Sequence, residues 1–306
     1  MRHTIQNKTL IVIQGPTASG KTSLGIALAK YFKTVVISAD SRQFYKEMTI
    51  GTAKPSKKEQ DGIHHYFIDS HSIKKPLSAA TFEKEALKII EKEFQNHDKL
   101  ILVGGSGMFI DALCNGLDDI PNNIRLRNEL TDFVKKNGLE NLLEELKIKD
   151  PNYYDFVDKK NPLRIIRAIE AIRISGKSYT ELRQKQNKKR SFEIKRFVID
   201  LPREKLYERI NQRVDLMIKK GLIDEVKNLY SHRNLQTLNT LAYSEIFAHL
   251  DGKMDLKNTV DLIKQNTRRY AKRQLTWFRR NESNIWLKSQ DTDDLLKEIL
   301  EIVGFE

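Results

Sequence analysis

The chain is 306 residues long, enough for about two domains or for one domain carrying a large insertion. Lys and Arg number 54 against 41 acidic residues, a formal net charge of +13, which suits a polyanionic partner such as a nucleic acid. A single cysteine, Cys114, excludes disulfides within the chain and cysteine-cluster zinc sites. No apolar run approaches the roughly 18 residues of a membrane span, and residues 1–8 lack a signal-peptide core, so a cytoplasmic protein without membrane association is expected.

The first element is the apolar run Leu10-Ile11-Val12-Ile13, a buried strand by pattern, and residues 24–29 read as the helix that follows. Between them, Gly15, Pro16, Thr17, Ala18, Ser19, Gly20, Lys21 and Thr22 fill every fixed position of the P-loop pattern in the strand-to-helix context that the pattern requires. The glycines let backbone N–H groups converge on phosphate oxygens, and the start of the helix adds partial positive charge. Lys21 supplies a full charge, and the Thr22 hydroxyl can hold a magnesium ion shared with the phosphates. A di- or triphosphate ligand is expected.

Residues 34–38 form a short β-branched strand that delivers Asp40, Ser41, Arg42 and Gln43 to a loop. In an open parallel sheet the carboxyl ends of strands converge on the ligand crevice, which directs Asp40 toward the phosphates; its bland alternative is a helix N-cap. A small polar loop at 51–55 precedes the adjacent His64 and His65. Neighbouring side chains on a regular strand point to opposite faces, so these two suit packing or surface positions better than a metal pair. Residues 78–94 read as an amphipathic helix capped by Ser78. The strand 100–103 ends in Gly104-Gly105-Ser106-Gly107, where a P-loop hydrolase usually carries an acidic residue to organise magnesium and water. Ser106, the first side chain with chemistry at that strand end, is a candidate catalytic residue, and hydrolysis is poorly served.

From residue 121 to about 190 the composition turns to charged helical stretches with no convincing strand, a helical insertion. Arg164 and Arg167 share one helix face within it, and residues 185–190 are a basic linker, either phosphate-contacting or merely solvated. Residues 197–201 return the chain to the sheet. Lys205, Arg209 and Arg213 then recur every four residues as one basic stripe, which clamps phosphate if it faces the crevice and does nothing if it faces solvent. At about 100° per residue, Arg268, Arg269, Lys272, Arg273, Arg279 and Arg280 share an arc opposite Tyr270, Leu275, Trp277 and Phe278. A basic face on an apolar anchor is what a helix lying on a nucleic-acid backbone requires. A short strand at 285–287 and a helix at 292–303 close the chain.

Six blocks occur in one order over nearly the whole chain: GPTASGKT at 15–22, SADSRQ at 38–43, GTAKP at 51–55, VGGSG at 103–107, ISGK at 174–177 and AKRQLTWFR at 271–279. Together they resemble the bacterial tRNA dimethylallyltransferases, also called tRNA isopentenyltransferases. The resemblance implies transfer of a dimethylallyl group from dimethylallyl diphosphate to the exocyclic amine of the tRNA adenosine just after the anticodon. It implies a P-loop that holds the prenyl diphosphate rather than ATP, with magnesium as cofactor, Asp40 as general base and Arg213 opposing charge on the leaving group. By the same resemblance Asp40, Ser41, Arg42, Gln43, Arg164, Arg167, Tyr243, Lys272, Arg273, Trp277 and Arg280 fall in tRNA-contacting regions. Two positions depart from the family pattern, Ser106 where Thr is common and Ala242 where Gly is usual.

The expected architecture is therefore α/β, a P-loop NTPase-like parallel sheet flanked by helices. Its core is formed by residues 1–120 and 191–306, with a helical insertion at 121–190, in a monomer. Two rival readings share part of this pattern. A small-molecule or nucleotide kinase explains the P-loop but not the basic aromatic helix, and a non-catalytic RNA-binding protein explains the charge but not Asp40 and Ser106 at adjacent strand ends.

Overall fold

The structure, a computed structural model, describes residues 8–184, 187–288 and 291–304. One compact unit runs to Cys114 and resumes at Arg190; the second is Asn115–Lys189. The insertion thus begins six residues earlier than the composition shift suggested, because the helix after the fourth strand reaches Asn115 before the chain departs. The Lys188 N–H donates to the Asn115 carbonyl at 2.7 Å, pairing the two ends of the insertion; Lys185 of the basic linker lies outside the described residues.

The first unit opens with β1 (Thr9–Gln14), α1 (Lys21–Tyr31), β2 (Val36–Ser38), α2 (Lys57–Gln60), β3 (His65–Tyr66), α3 (Ala79–Glu93), β4 (Lys99–Gly104) and α4 (Gly107–Asn115). The insertion is α5 (Ile124–Asn137), α6 (Glu140–Lys149), α7 (Pro151–Phe156), α8 (Pro162–Ser175) and α9 (Tyr179–Leu182). The first unit then continues through β5 (Glu193–Ile199), α10 (Arg203–Lys219), α11 (Leu222–Asn228), α12 (Tyr243–Leu250), α13 (Leu256–Phe278), β6 (Ile285–Leu287) and α14 (Thr292–Val303).

Among the described residues six strands form one parallel sheet in the order β3-β2-β4-β1-β5-β6. β1 is central, paired with β4 from Thr9↔Lys99 to Gln14↔Gly104 and with β5 from Thr9↔Glu193 to Gln14↔Val198. A central parallel strand is covered on both faces, which is why every residue of β1 is buried and its sequence runs apolar without alternation. From β1 the chain goes to β2 on one side, whereas from β4 it goes to β5 on the other. The carboxyl ends of these two neighbours therefore flank the crevice that such a reversal creates, where ligands bind in open parallel sheets.

Three strands differ from their sequence reading. β2 is shorter, starting at Val36, because Lys33 takes a left-handed turn (φ 48°) before it. β5 begins four residues earlier than expected; Lys195 and Arg196 break its apolar pattern, yet Arg196 is buried and paired with Asp111 at 2.5 Å. The edge strand β3 carries no usable period in two residues. His65 Nδ1 bonds the Ile63 carbonyl and His64 meets the Tyr66 ring edge-on, so the histidines pack as expected. Among the described residues no cluster of three His, Cys, Asp or Glu could hold a metal ion.

One core cluster joins the sheet to α1, α10 and α14 through Ile13, Leu24, Leu28, Val103, Phe197, Ile210 and Ile299. Another packs α10 to α13 on the 45–48 loop through Tyr45, Met48, Val214, Leu222, Tyr243, Ile246 and Ile263. The insertion has a core of its own around Leu146, Ile165, Ile169 and Ile172. There, fully buried Glu170 is satisfied by bidentate bonds from Arg127, a bond from Arg167 and the Asn123 N–H.

Candidate active site

The P-loop is a backbone cradle held open by two unusual residues. Gly20 caps α1 in a left-handed conformation (φ 96°) and contributes no side-chain cap, leaving the first N–H groups of the helix available to an anion. Ala18 also sits at positive φ (65°), where an L-residue costs roughly 1–2 kcal/mol. Ser19 is 3 % exposed, and its hydroxyl has no hydrogen-bond partner. Leaving such a group unpaired costs about 1–3 kcal/mol. Lys21 folds back onto its own loop, donating to the Pro16 carbonyl at 2.6 Å. Burial first, and then the nearby Arg213 cation, push the Lys21 ammonium down to about 7, with Asp40 opposing.

Gln274 is a residue of this site that the sequence reading passed over. From the buried side of α13 its carbonyl oxygen accepts the Thr17 N–H at 2.9 Å, and its amide donates to the Gly105 carbonyl at 2.8 Å. It thereby fixes the P-loop against the end of β4. The signal was a neutral amide inside a basic helix, on the arc opposite the cations. Glycine is needed at β4's end for a steric reason, since a Cβ on Gly104 would lie 2.4 Å from the Ala39 carbonyl oxygen.

Asp40 leaves β2 toward the same crevice. No helix follows it; residues 41–44 form a turn, and an Asp40 carboxylate oxygen accepts the Arg42 N–H at 3.0 Å. The expected N-cap alternative is thus replaced by a local side-chain turn. The Ser106 hydroxyl accepts the Ser41 N–H at 2.9 Å and donates to the Ser41 hydroxyl at 3.0 Å, tying the ends of β2 and β4 together. Above them, burial and next the Asp40 charge push the Tyr270 hydroxyl up to about 12. Arg213 reaches the Thr17 hydroxyl at 3.4 Å. Its burial lowers its pKa against the pull of Asp40 and Glu59.

These groups, Ser106 excepted, line one cavity of about 580 Å³. Thr17 to Ser23 form one part of its wall, Asp40 to Gln43 and Gly104 to Gly105 another, and Arg213, Thr240 to Glu245, Tyr270 and Arg273 contribute to a third. Glu225 organises the rim loop at 49–51: its carboxylate accepts the N–H groups of Thr49, Ile50 and Gly51 and the Tyr243 hydroxyl at 2.6 Å. Gln43 bonds the carbonyls of Thr52 and Ala53, and Arg42 bonds that of Thr237, so both have structural duties in the wall.

Several expected RNA contacts have other employment. Tyr243 is fully buried against Glu225 and the 49–51 loop, leaving its side chain no surface for RNA. Arg167 is bonded to the carbonyls of Ile120 and Pro121 and to Glu170, which makes it a brace of the insertion, while Arg164 remains exposed. On α13, Arg268 leaves the anticipated basic face to bond Asn211. The Trp277 indole N–H donates to Asp111 at 2.7 Å, and its ring fills the space that a Cβ on Gly107 would need. Lys272, Arg273 and Arg280 stay exposed along the helix. If these three neutralise RNA phosphates, changing one to Ala is expected to flatten the slope of log affinity against log salt by at most about one unit. An unchanged slope in all three variants, measured by filter binding, would reduce α13 to an ordinary amphipathic helix.

The model of the IPP transferase family matches residues 43–281, well over half of the chain. The chain belongs to this family. It is 45 % identical over 290 residues to tRNA dimethylallyltransferase 1 of Bacteroides fragilis, covering 94 % of this chain and 96 % of the relative. Its structure resembles the full-length tRNA isopentenylpyrophosphate transferase of Bacillus halodurans, with TM-score 0.72, 36 % identity and coverage of 97 % and 96 % of the two chains. A tRNA isopentenylpyrophosphate transferase of Staphylococcus epidermidis is similar at TM-score 0.70 and 33 % identity, covering 97 % and 98 %. The P-loop core with its parallel sheet is thus that of an IPP transferase, and the kinase and non-catalytic readings give way to it.

Ala242, the departure noted from the IPP transferase pattern, sits at φ 70° and ψ −42° ahead of α12. That is a sparsely populated conformation for any residue with a Cβ, costing of order 1–3 kcal/mol. Ala242→Gly is therefore expected to stabilise the protein by about 1 kcal/mol, read as a raised Tm. An unchanged or lowered Tm would show that the buried Ala242 methyl contributes more to packing than its backbone costs.

Proposed function

We propose that this chain transfers the dimethylallyl group of dimethylallyl diphosphate to the exocyclic amine of the adenosine following the anticodon in tRNA, releasing diphosphate. The observation that carries this reading is that one cavity holds a phosphate cradle and a carboxylate in its wall, with glycines where a hydrolase would hold its acidic residue. The amine's lone pair forms the new bond to the allylic carbon as the carbon–oxygen bond breaks and its electron pair leaves with diphosphate. The amine proton passes to Asp40. Adenine nitrogen is a weak nucleophile because its lone pair is delocalised, and a carboxylate poised on its proton contributes roughly 10²–10⁴ in rate. Lys21, Arg213 and the P-loop N–H groups oppose negative charge where it grows on the leaving group. Ser106 acts by holding the Ser41 end of the Asp40 turn in place.

The Thr22 hydroxyl, in the cavity wall beside the P-loop, suits magnesium, a hard cation that takes one or two protein oxygens together with substrate phosphates. Thr22 would hold the ion, which would supply further neutralisation of the diphosphate. The adenine cannot react while stacked, so binding extrudes it at a cost of a few kcal/mol. The exposed Arg164, Lys272, Arg273 and Arg280 are then the cations left for tRNA phosphates. We take the protein to act as a monomer in the cytoplasm; among the described residues no helix is long and apolar enough to cross a membrane. Incubation of unmodified tRNA with labelled dimethylallyl diphosphate or labelled ATP tests the reading. Label is expected in tRNA from the prenyl donor alone; phosphoryl transfer from ATP without prenylation would overturn it.

A further inference from the structure

The basic stripe of α10 splits into three fates. Lys205 is exposed, Arg213 reaches Thr17, and Arg209, one helical turn before Arg213, lies over the other end of the P-loop. An Arg209 guanidinium nitrogen is 3.9 Å from the point a Cβ on Gly20 would occupy, at the start of α1. Arg209 is half-buried, and among the described residues it forms no ion pair or hydrogen bond through its side chain. A partly desolvated cation with no anion, set against a helix start whose N–H groups have no side-chain cap, lacks only the negative ligand.

The two arginines bracket the cradle with different orientations to the chemistry. Arg213 is on the Thr17 side and feels the Asp40 charge, so it serves the phosphate that carries the reacting carbon. We propose that Arg209 binds the terminal, non-reacting phosphate of the prenyl diphosphate and is the residue that distinguishes a diphosphate from a monophosphate donor. This rests on the reading of the P-loop as the prenyl diphosphate cradle. The terminal phosphate is held in the ground state and the transition state alike, so Arg209 supplies uniform binding. Its loss raises KM and leaves the chemical step nearly untouched, whereas Arg213 acts where charge develops and its loss lowers kcat.

Calorimetric titration of the full chain with dimethylallyl diphosphate and with dimethylallyl monophosphate tests this. In Arg209→Gln the preference for diphosphate over monophosphate is expected to fall by about 10-fold, the effect of losing one charge-assisted hydrogen bond. Monophosphate affinity should stay within about twofold of wild type, the single-turnover rate at saturating diphosphate within about threefold, and Arg209→Lys should recover part of the preference. An unchanged preference, or an equal weakening of both ligands, overturns the assignment; the second result is also what a purely structural role would give. Lys21→Ala run alongside separates the two levels. If Lys21→Ala weakens neither ligand, the P-loop is not the cradle; if it weakens both while Arg209→Gln changes nothing, only the Arg209 assignment fails.

Discussion

Asp40→Asn is expected to slow single-turnover prenyl transfer by roughly 10²-fold or more while leaving diphosphate affinity nearly intact. The structure makes the substitution a clean one. An Asp40 oxygen accepts the Arg42 N–H at 3.0 Å, and the asparagine carbonyl can make the same bond, so the turn that shapes the cavity wall survives. Asparagine cannot take the amine proton. A base role and a turn-forming role therefore differ by at least about 2.7 kcal/mol of barrier, at about 1.36 kcal/mol per factor of ten. A near-normal single-turnover rate in a folded Asp40→Asn protein would return Asp40 to the turn-forming role and leave positioning and leaving-group stabilisation as the sources of rate.

The elements that the sequence exposed are those whose periodicity is dictated by burial alone. β1 is buried on both faces and α3 has a Ser78 cap with a regular apolar face, so both were readable to within a residue or two. β5 was read late because buried Arg196 mimics a surface residue until its pairing with Asp111 is known, which is a tertiary fact. The site was legible wherever chemistry fixes spacing, as in the P-loop, and illegible wherever a role depends on what a side chain meets across the fold. Tyr243 and Arg167 carry donors suited to RNA, yet Glu225 and the 120–121 carbonyls claim them. Gln274 shows the converse. Its place opposite the cations marks it as a buried amide, but not that this amide, 257 residues from Thr17 in the chain, bridges the P-loop to β4.

Lys21→Ala is expected to abolish turnover while tRNA affinity changes little, because the exposed cations left for RNA, Lys272 and Arg280 among them, are other residues. Its electrostatics allow a sharper test. In the free protein, burial and Arg213 hold Lys21 near about 7 instead of 10.5, so the folded state binds this proton less tightly than the unfolded chain does. The resulting penalty on stability is fully present below about 7 and fades as pH rises toward 10.5. Lys21→Ala should accordingly not lower Tm at neutral pH, which separates lost catalysis from lost folding. A diphosphate seated on the P-loop reverses the balance, since two nearby negative phosphates favour the ammonium. At pH 8, where the free site is mostly deprotonated and the ligand already fully ionised, binding should therefore take up close to one proton. Calorimetry in buffers of different ionisation enthalpy reads that uptake directly, and it should vanish in Lys21→Ala. Binding without proton uptake in the wild type would mean that Lys21 keeps its charge in the empty cradle, and a tRNA affinity falling as steeply as the rate would mean that the diphosphate and RNA sites are not separable.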